Sequence, residues 1–158
     1  MYSAASLARR GFSLIELVIV IVIIGIIGAI AIPRMSRGVE TAGDSALSGN
    51  LAVLRSAIDL YSTEHGGTFP AAGTITDQLT LYTDDSGATS ATKDTTHIYG
   101  PYLRAVPPLP VGLKKGASTI AAADGAGVGW IYVAASGQIS ANCTDTEKDA
   151  RDRKYNTY

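Results

Sequence analysis

The apolar residues are distributed very unevenly along the chain. From Phe12 to Ile32 nearly every position is aliphatic, whereas apolar and polar positions are mixed after Pro33. As a helix rising about 1.5 Å per residue, this stretch spans roughly 31 Å, close to the hydrocarbon thickness of a bilayer. Its many β-branched residues would favour a strand in water, but a single segment in lipid satisfies its backbone hydrogen bonds only as a helix. The pattern predicts a transmembrane helix over residues 12–33.

A second helical pattern follows Pro33. Its apolar residues recur at steps of four and three, the spacing of one helix face. These residues are Leu47, Leu51, Leu54, Ile58 and Tyr61. The pattern ends at His65, which two glycines follow. Pro33 lacks a backbone donor and Gly25 weakens the preceding turns, so a kink or loosening is expected between the halves. The sequence predicts one long helix from Phe12 to His65, whose amphipathic half covers residues 34–66.

Residues 67–158 predict a small α+β head that ends in a polar tail. The predicted elements are a short helix over 76–82, a surface loop over 84–96, and strands over 118–123, 128–134 and 138–141. The last two strands, separated by Ser136 and Gly137, predict a hairpin. We expect Trp130 and Tyr132 to pack the sheet on the helix, and the tail over 145–158 to be mobile. The predicted fold class is α+β: one long N-terminal helix packed on a small antiparallel sheet.

The charged residues predict an orientation and exclude some partners. Arg9 and Arg10 precede the apolar stretch with no acidic residue nearby, so the positive-inside rule places residues 1–11 in the cytoplasm and the head outside. With 13 basic and 14 acidic residues, the chain has no basic field that would attract nucleic acid.

Residues with reactive side chains do not form a catalytic pattern. Cys143 is the single cysteine, so no intrachain disulfide can form, and we expect it to be buried or half-buried. His65 and His97 lie far apart and are expected to have structural or solvent-facing roles. No serine–histidine–aspartate arrangement, phosphate loop or zinc spacing occurs, so the sequence does not predict an enzyme.

One acidic residue interrupts the apolar stretch. A carboxylate at the bilayer centre costs roughly 2.5–3.5 kcal/mol, although Glu16 lies near the start of the segment, where the cost is lower. An interfacial glutamate at a helix N-terminus would also be stabilised by the helix dipole. Position alone leaves open whether Glu16 has a functional role.

The residues around Glu16 favour a functional role. The sequence RRGFSLIE over residues 9–16, followed by the aliphatic run, closely resembles the prepilin signature of type IV pilins and type II secretion pseudopilins. The resemblance implies a pilin fold, removal of the leader 1–11 by a prepilin peptidase that cuts between Gly11 and Phe12, and N-methylation of Phe12. Glu16 then matches the family's glutamate at the fifth mature position.

The physics of the mature terminus suggests why a glutamate belongs there. Cleavage would free an ammonium group at Phe12 inside an apolar zone, and an unpaired ion there is costly. Glu16 is the only nearby anion. Its carboxylate can neutralise the amine of a neighbouring subunit or fold back on the amine of its own helix, and the sequence does not separate the two. The resemblance also implies local unwinding between Gly25 and Pro33 in a filament, while Gly25 and Ala29 equally predict close helix packing.

The expected function is structural. The resemblance implies a subunit of a type II secretion pseudopilus or a type IV pilus-like filament, held in the lipid bilayer of the inner membrane before assembly. Its partners would be copies of itself, the prepilin peptidase, and an inner-membrane assembly platform with its ATPase. The filament would lie in the periplasm or on the cell surface. The alternative is a single-pass, membrane-anchored binding domain that does not polymerise.

No cofactor is expected from the residues themselves. The arrangement of the head resembles the major (G-type) pseudopilins, in which a loop binds calcium, so the resemblance makes calcium the candidate ion. The weak candidates for ligands are Asp124, Asp145, Glu147 and Asp149. They do not follow the spacing of a calcium loop, so solvated carboxylates are the simpler expectation. The lack of a cysteine pair also departs from pilins whose terminal loop is closed by a disulfide.

Overall fold

The computed structural model describes residues 12–158, with side chains over 12–29 and 41–158. The chain divides into two compact units, the first ending at Gly38 and the second running from Val39 to Tyr158. The predicted leader 1–11, including Gly11, lies outside the described residues.

The element order confirms the predicted α+β class. The elements are α1 (Leu14–Glu64), α2 (Ile75–Thr80), β1 (Tyr82–Thr83), β2 (Thr89–Ser90), β3 (Thr119–Ala121), β4 (Val128–Val133), β5 (Gln138–Ala141) and a terminal 3-10 turn, Tyr155–Thr157. The bounds of α1 agree with the predicted long helix to within two residues. The helix includes both Gly25 and Pro33, so its secondary structure is not interrupted there.

The main sheet has the order β3-β4-β5 and is mixed, not antiparallel. β4 and β5 form the predicted antiparallel hairpin, in which Trp130 lies opposite Ala141. β3, however, pairs with β4 in parallel, so the prediction of an antiparallel sheet was wrong for this pair. Two neighbouring parallel strands usually need a long crossover connection. Here β3 is so short that the connection from its end back to the start of β4 covers only about 10 Å.

The predicted surface loop over 84–96 contains a strand, which corrects the sequence interpretation. β2 pairs with β1 in a two-stranded antiparallel sheet. Asp84 closes the turn between them, because its carboxylate accepts hydrogen bonds from the backbone N–H groups of Ser86 and Ala88, both at 2.9 Å. Turn-forming residues in this segment therefore support a short hairpin.

The core of the second unit lies between the amphipathic face of α1 and the main sheet. The predicted stripe is buried, with Leu47, Leu54 and Ile58 fully inaccessible to solvent. Trp130 and Tyr132 belong to the same hydrophobic cluster, as predicted. Both satisfy their polar atoms by donating to backbone carbonyls: the indole N–H to Pro107 at 2.8 Å and the phenol to Pro70 at 2.9 Å.

The tail over 145–158 is folded, so the prediction of a mobile tail was wrong. Tyr155 is 9% exposed and donates its hydroxyl proton to Asp44 on α1, at 2.9 Å. Arg55, also on α1, donates to the main-chain oxygen of Tyr158. The charged side chains of the tail pair mostly with one another, as Asp149 does with Arg153, and the two contacts with α1 hold the tail to the core.

Among the residues that the structure describes, no helix combines the length and the apolar character needed to cross a membrane.

Candidate functional site

The first unit presents an unusually apolar surface. The large apolar side chains from Phe12 to Ile27, which we call the N-terminal apolar surface, are between 39% and 80% exposed. Soluble monomers rarely expose contiguous apolar patches beyond a few hundred Å², and larger patches mark protein or membrane contacts. This surface therefore requires a covering that the described part of the chain does not supply.

Glu16 lies within this surface, in the first turn of α1. It is exposed, and it is the only ionisable side chain among residues 12–29. The helix begins beside it, with Leu17 N–H donating to the Ser13 carbonyl at 3.2 Å. An acidic side chain there is stabilised by the positive end of the helix dipole, and its carboxylate remains available to a cation from outside.

The other predicted assembly residues are only partly described. A Cβ built at Gly25 would meet no atom within 4 Å, so nothing in the described chain requires a glycine there. Pro33 belongs to α1, but its side chain lies outside the described residues, as does Gly11 altogether. Unwinding, close packing, cleavage and methylation stay predictions.

Two of the candidate calcium ligands are paired with cations. Asp124 forms an ion pair with Lys114 and accepts a hydrogen bond from Asn142 at 2.9 Å. Asp145 pairs with Lys154 at 2.5 Å. These contacts hold the pKa of both carboxyls below the ordinary value, and the hydrogen bond from the lysine is the largest cause in each case. Each carboxylate is thus engaged by its own partners.

Glu147 is engaged by backbone donors. Its carboxylate accepts from the N–H of Leu113 at 2.6 Å and from the N–H of Thr144 at 2.7 Å. Over the described residues, no group of three histidine, cysteine, aspartate or glutamate side chains is placed to hold a metal ion. The four candidate ligands are therefore not brought together as one site among the described residues, and the expectation that no cofactor is needed stays a prediction.

Asp149 has the most complete set of partners of the four. Its side chain is 1% exposed and pairs with the Arg153 guanidinium at 2.8 Å. It also accepts from the Tyr158 hydroxyl at 2.5 Å and from the N–H groups of Arg151 and Arg153, both at 2.8 Å. Burial alone would raise the pKa of Asp149, but these hydrogen bonds outweigh it and hold the pKa well below its usual range.

We expect the tail to loosen in acid because of Asp149. A carboxyl whose pKa is lower in the folded than in the unfolded chain stabilises the fold above the unfolded value of about 3.9, and this stabilisation is lost as pH falls below it. Asp149→Asn should therefore lower stability at neutral pH and flatten the loss of stability below pH about 4. Urea unfolding of the detergent-solubilised chain, followed by Trp130 fluorescence, measures this. Asp77→Asn, at an exposed acid on α2, is the control; equal pH profiles for both variants would contradict the prediction.

The histidines and the cysteine have the structural surroundings that were predicted. His65 is 9% exposed, stacks on Tyr61 with 3.8 Å between ring centroids, and contacts the Asp84 carbonyl at 2.9 Å. His97 pairs with Asp94, three residues earlier in the same segment, at 2.9 Å. Cys143 is half-buried, and burial raises the pKa of its thiol to about 11, so it is a poor nucleophile.

Sequence reasoning missed the residues that hold the tail to α1. Asp44 and Arg55 lie on the polar side of the predicted amphipathic helix, where charged residues are ordinarily solvated. Their partners, Tyr155 and Tyr158, follow about a hundred positions later. The sequence carries no local signal for such pairs.

Comparisons with known proteins agree with the prepilin-type signature. Residues 7–32 match the family model of the prokaryotic N-terminal methylation motif. The chain is 30% identical over 64 residues to the type II secretion system core protein G of Pectobacterium carotovorum subsp. carotovorum, covering 40% of this chain and 41% of that protein. It is 42% identical over 52 residues to the type IV major alpha-pilin of Moraxella bovis, covering 33% of each.

The matched regions are thus well under two thirds of the relatives' lengths. No solved structure matches the chain significantly. The motif, the two relatives and the α+β architecture agree with one another. The chain thus carries the prokaryotic N-terminal methylation motif and is similar to the type IV pilins and the type II secretion pseudopilins.

Proposed function

We propose that this chain is a structural subunit of a type II secretion pseudopilus or a type IV pilus-like filament, and not an enzyme. The observation that carries the proposal is the N-terminal apolar surface, in which Phe12 and the large side chains of the first turns of α1, up to Ile27, are exposed. Exposing such a surface to water is unfavourable, because burying apolar area stabilises the system by about 25 cal/mol per Å². Lipid covers it before assembly, and the same segments of other copies cover it afterwards.

In this proposal Glu16 sets the axial register between neighbouring subunits of the filament. The cut between Gly11 and Phe12 creates an ammonium group at the start of an apolar helix, and Glu16 is the only anion among residues 12–29. When a new subunit enters, its carboxylate meets the terminal amine of a neighbour, since an unpaired charge in the apolar core would be strongly unfavourable. The pair therefore selects the axial position at which both charges are neutralised.

The cellular path follows from the same segment. The subunit is held in the inner membrane by residues 12–33, with its N-terminus in the cytoplasm and its head outside. A prepilin peptidase removes residues 1–11, and an ATPase-driven assembly platform moves the subunit from lipid into the filament. The finished filament lies in the periplasm or on the cell surface.

Mass spectrometry of the native protein tests the processing step. We expect the mature chain to begin at Phe12 and to carry a methyl group on its terminal amine. Gly11→Val should retain residues 1–11, because a bulky Cβ-branched residue hinders close approach of the scissile backbone to the peptidase. Gly73→Val, at an open position in the head, is the matched control and should be processed normally.

The outcomes also distinguish the proposed subunit from an anchored monomer. A native chain that keeps residues 1–11 and has an unmodified terminus contradicts the proposal. A processed chain that remains monomeric under conditions in which its cell forms filaments favours the membrane-anchored binding domain.

A further inference from the structure

A prominent apolar side chain projects from the head. Leu113 is 89% exposed, more than any other large apolar side chain in the described residues. It lies in the loop 112–116, which has glycines in the left-handed region at both ends, with φ of 74° at Gly112 and 94° at Gly116. Lys115, beside it, is exposed and forms no ion pair within the part of the chain that the structure describes. Single exposed leucines are common, so exposure alone would carry no meaning.

The loop is held in place by its backbone. Leu113 N–H donates to the Glu147 carboxylate at 2.6 Å, Lys115 N–H to the Gly112 carbonyl at 3.2 Å, and Gly116 N–H to the Leu109 carbonyl at 2.8 Å. Lys114 is fixed by its ion pair with Asp124. The leucine is therefore presented by a preorganised loop, which lowers the entropic cost of docking it.

The same unit contains a shallow apolar groove of ≈ 360 Å³. We call it the α1 groove; its lining residues are Ala52, Val53, Ser56, Ala57, Leu60, Tyr102 and Leu103. Val53 and Leu60 are 51% and 50% exposed, whereas Ala57 is 5% exposed and forms the floor. The groove therefore has apolar walls and a small-residue floor, which suits one branched aliphatic side chain.

The charges beside the loop 112–116 and beside the α1 groove are complementary. Glu64 follows Leu60 by one helical turn, which places it on the same face of α1, and its carboxylate accepts a hydrogen bond from the Tyr102 hydroxyl of the groove at 2.6 Å. The adjoining cation is Arg104, after Leu103 in the other wall. Lys115 accompanies the exposed leucine, so an acidic edge of the groove can face a basic loop.

From these observations we infer that Leu113 of one copy docks in the α1 groove of a second copy, with Lys115 facing Glu64. The inference rests on the proposed filament function and names a contact between heads. The loop begins against α1 near Gly43, where an added Cβ would lie 3.1 Å from Val111, whereas the groove begins at Ala52. The two patches are thus separated by about 14 Å along the helix.

In a filament each copy offers its loop to one neighbour and its groove to another, so the proposed contact is heterologous. Such contacts propagate from copy to copy and form open helical arrays, whereas a two-fold contact would stop at a dimer. The contact is too small to hold two heads together alone, since stable interfaces bury on the order of 1,200 Å² or more. It acts once the apolar helices have brought neighbouring heads together, where effective concentration is high.

Cysteine cross-linking in assembled filaments tests the contact. The full chain carries Cys143→Ala in every variant, to remove the native thiol. Leu113→Cys combined with Leu60→Cys should give a ladder of covalent multimers on oxidation, because each copy links to the next. The matched control combines Leu113→Cys with Val133→Cys and should give no ladder. Val133 lies on β4 outside the groove and is 47% exposed, close to the 50% of Leu60.

Filaments that form normally and give no ladder, or the same ladder with both pairs, would overturn this contact while leaving the proposed function intact. Failure of the unsubstituted chain to form filaments would instead count against the proposed function, whereas a failure confined to the Cys143→Ala chain would reflect the packing of Cys143 against the core, and Cys143→Ser would then replace it. Photo-cross-linking from position 113 to lipid or to an unrelated protein would also overturn the second copy as the partner.

A charge exchange provides an independent test of the orientation. Lys115→Glu should reduce the yield of the cross-linked ladder about two- to fivefold, as expected for an exposed pair. Lys115→Glu combined with Glu64→Lys should restore it. If the double variant is no better than the single one, Lys115 does not face Glu64.

Discussion

Glu16→Ala should prevent normal filament assembly while leaving the head folded. In the proposed filament, its carboxylate neutralises the terminal ammonium of Phe12 in an apolar environment. Removing one partner of a buried pair leaves an uncompensated charge and costs about 3–5 kcal/mol, a factor of more than about 100 in an association constant. Quantifying sheared filaments by electron microscopy and immunoblotting measures the effect.

Two further variants isolate the charge. Glu16→Gln retains the size of the side chain and should fail nearly as severely as Glu16→Ala. Asp77→Ala removes an exposed acid from α2 and should assemble like the parent. If Glu16→Ala forms filaments of normal length and number, the carboxylate does not set register. If the parent chain never polymerises, an anchored monomer explains Glu16 better, as an interfacial residue at a helix N-terminus.

Trp130→Ala should be the most damaging single truncation in the head. The indole is fully buried against the α1 stripe, and its N–H donates to the Pro107 carbonyl at 2.8 Å. Replacing a buried tryptophan by alanine removes that apolar contact and leaves a cavity, which costs about 3–5 kcal/mol of unfolding free energy. Urea denaturation of the detergent-solubilised chain, followed by circular dichroism, measures the change.

Val133→Ala provides the comparison for Trp130→Ala. Val133 ends the same strand but is 47% exposed, so its truncation should cost less than about 1 kcal/mol. Similar losses for the two variants would mean that the sheet does not depend on the packing of Trp130 against the helix.

Local sequence patterns were sufficient to predict several secondary-structure elements. The helix α1 follows from an aliphatic run joined to a 3.6-residue repeat, and the β4–β5 hairpin follows from alternating residues around Gly137. Gly137 N–H donates to the Val133 carbonyl at 2.9 Å, and its φ of 70° is one that glycine adopts without strain. In each case the determining interactions lie within a few residues, so the sequence contains them.

Other features depended on distant residues. The parallel pairing of β3 and the folding of the polar tail were not predicted, because their partners are selected by packing and not by neighbours in sequence. Asp149, a candidate calcium ligand by sequence, instead pairs with Arg153 and accepts a hydrogen bond from Tyr158. A carboxylate looks the same in a sequence whether its counter-charge will be a metal, a solvent ion or an arginine.

The sequence by itself determined the class of the fold, the long helix and the signature over residues 9–16, because periodicity and fixed spacing are local properties of a chain. Only the tertiary structure decided which surfaces remain uncovered: the N-terminal apolar surface, the loop carrying Leu113 and the α1 groove. Exposure depends on everything that packs nearby, including residues far away in sequence. Leu54 lies on the predicted stripe and is buried, whereas Leu60 lies outside it and is 50% exposed; the fold alone placed Tyr102 and Leu103 next to Leu60 to form a groove.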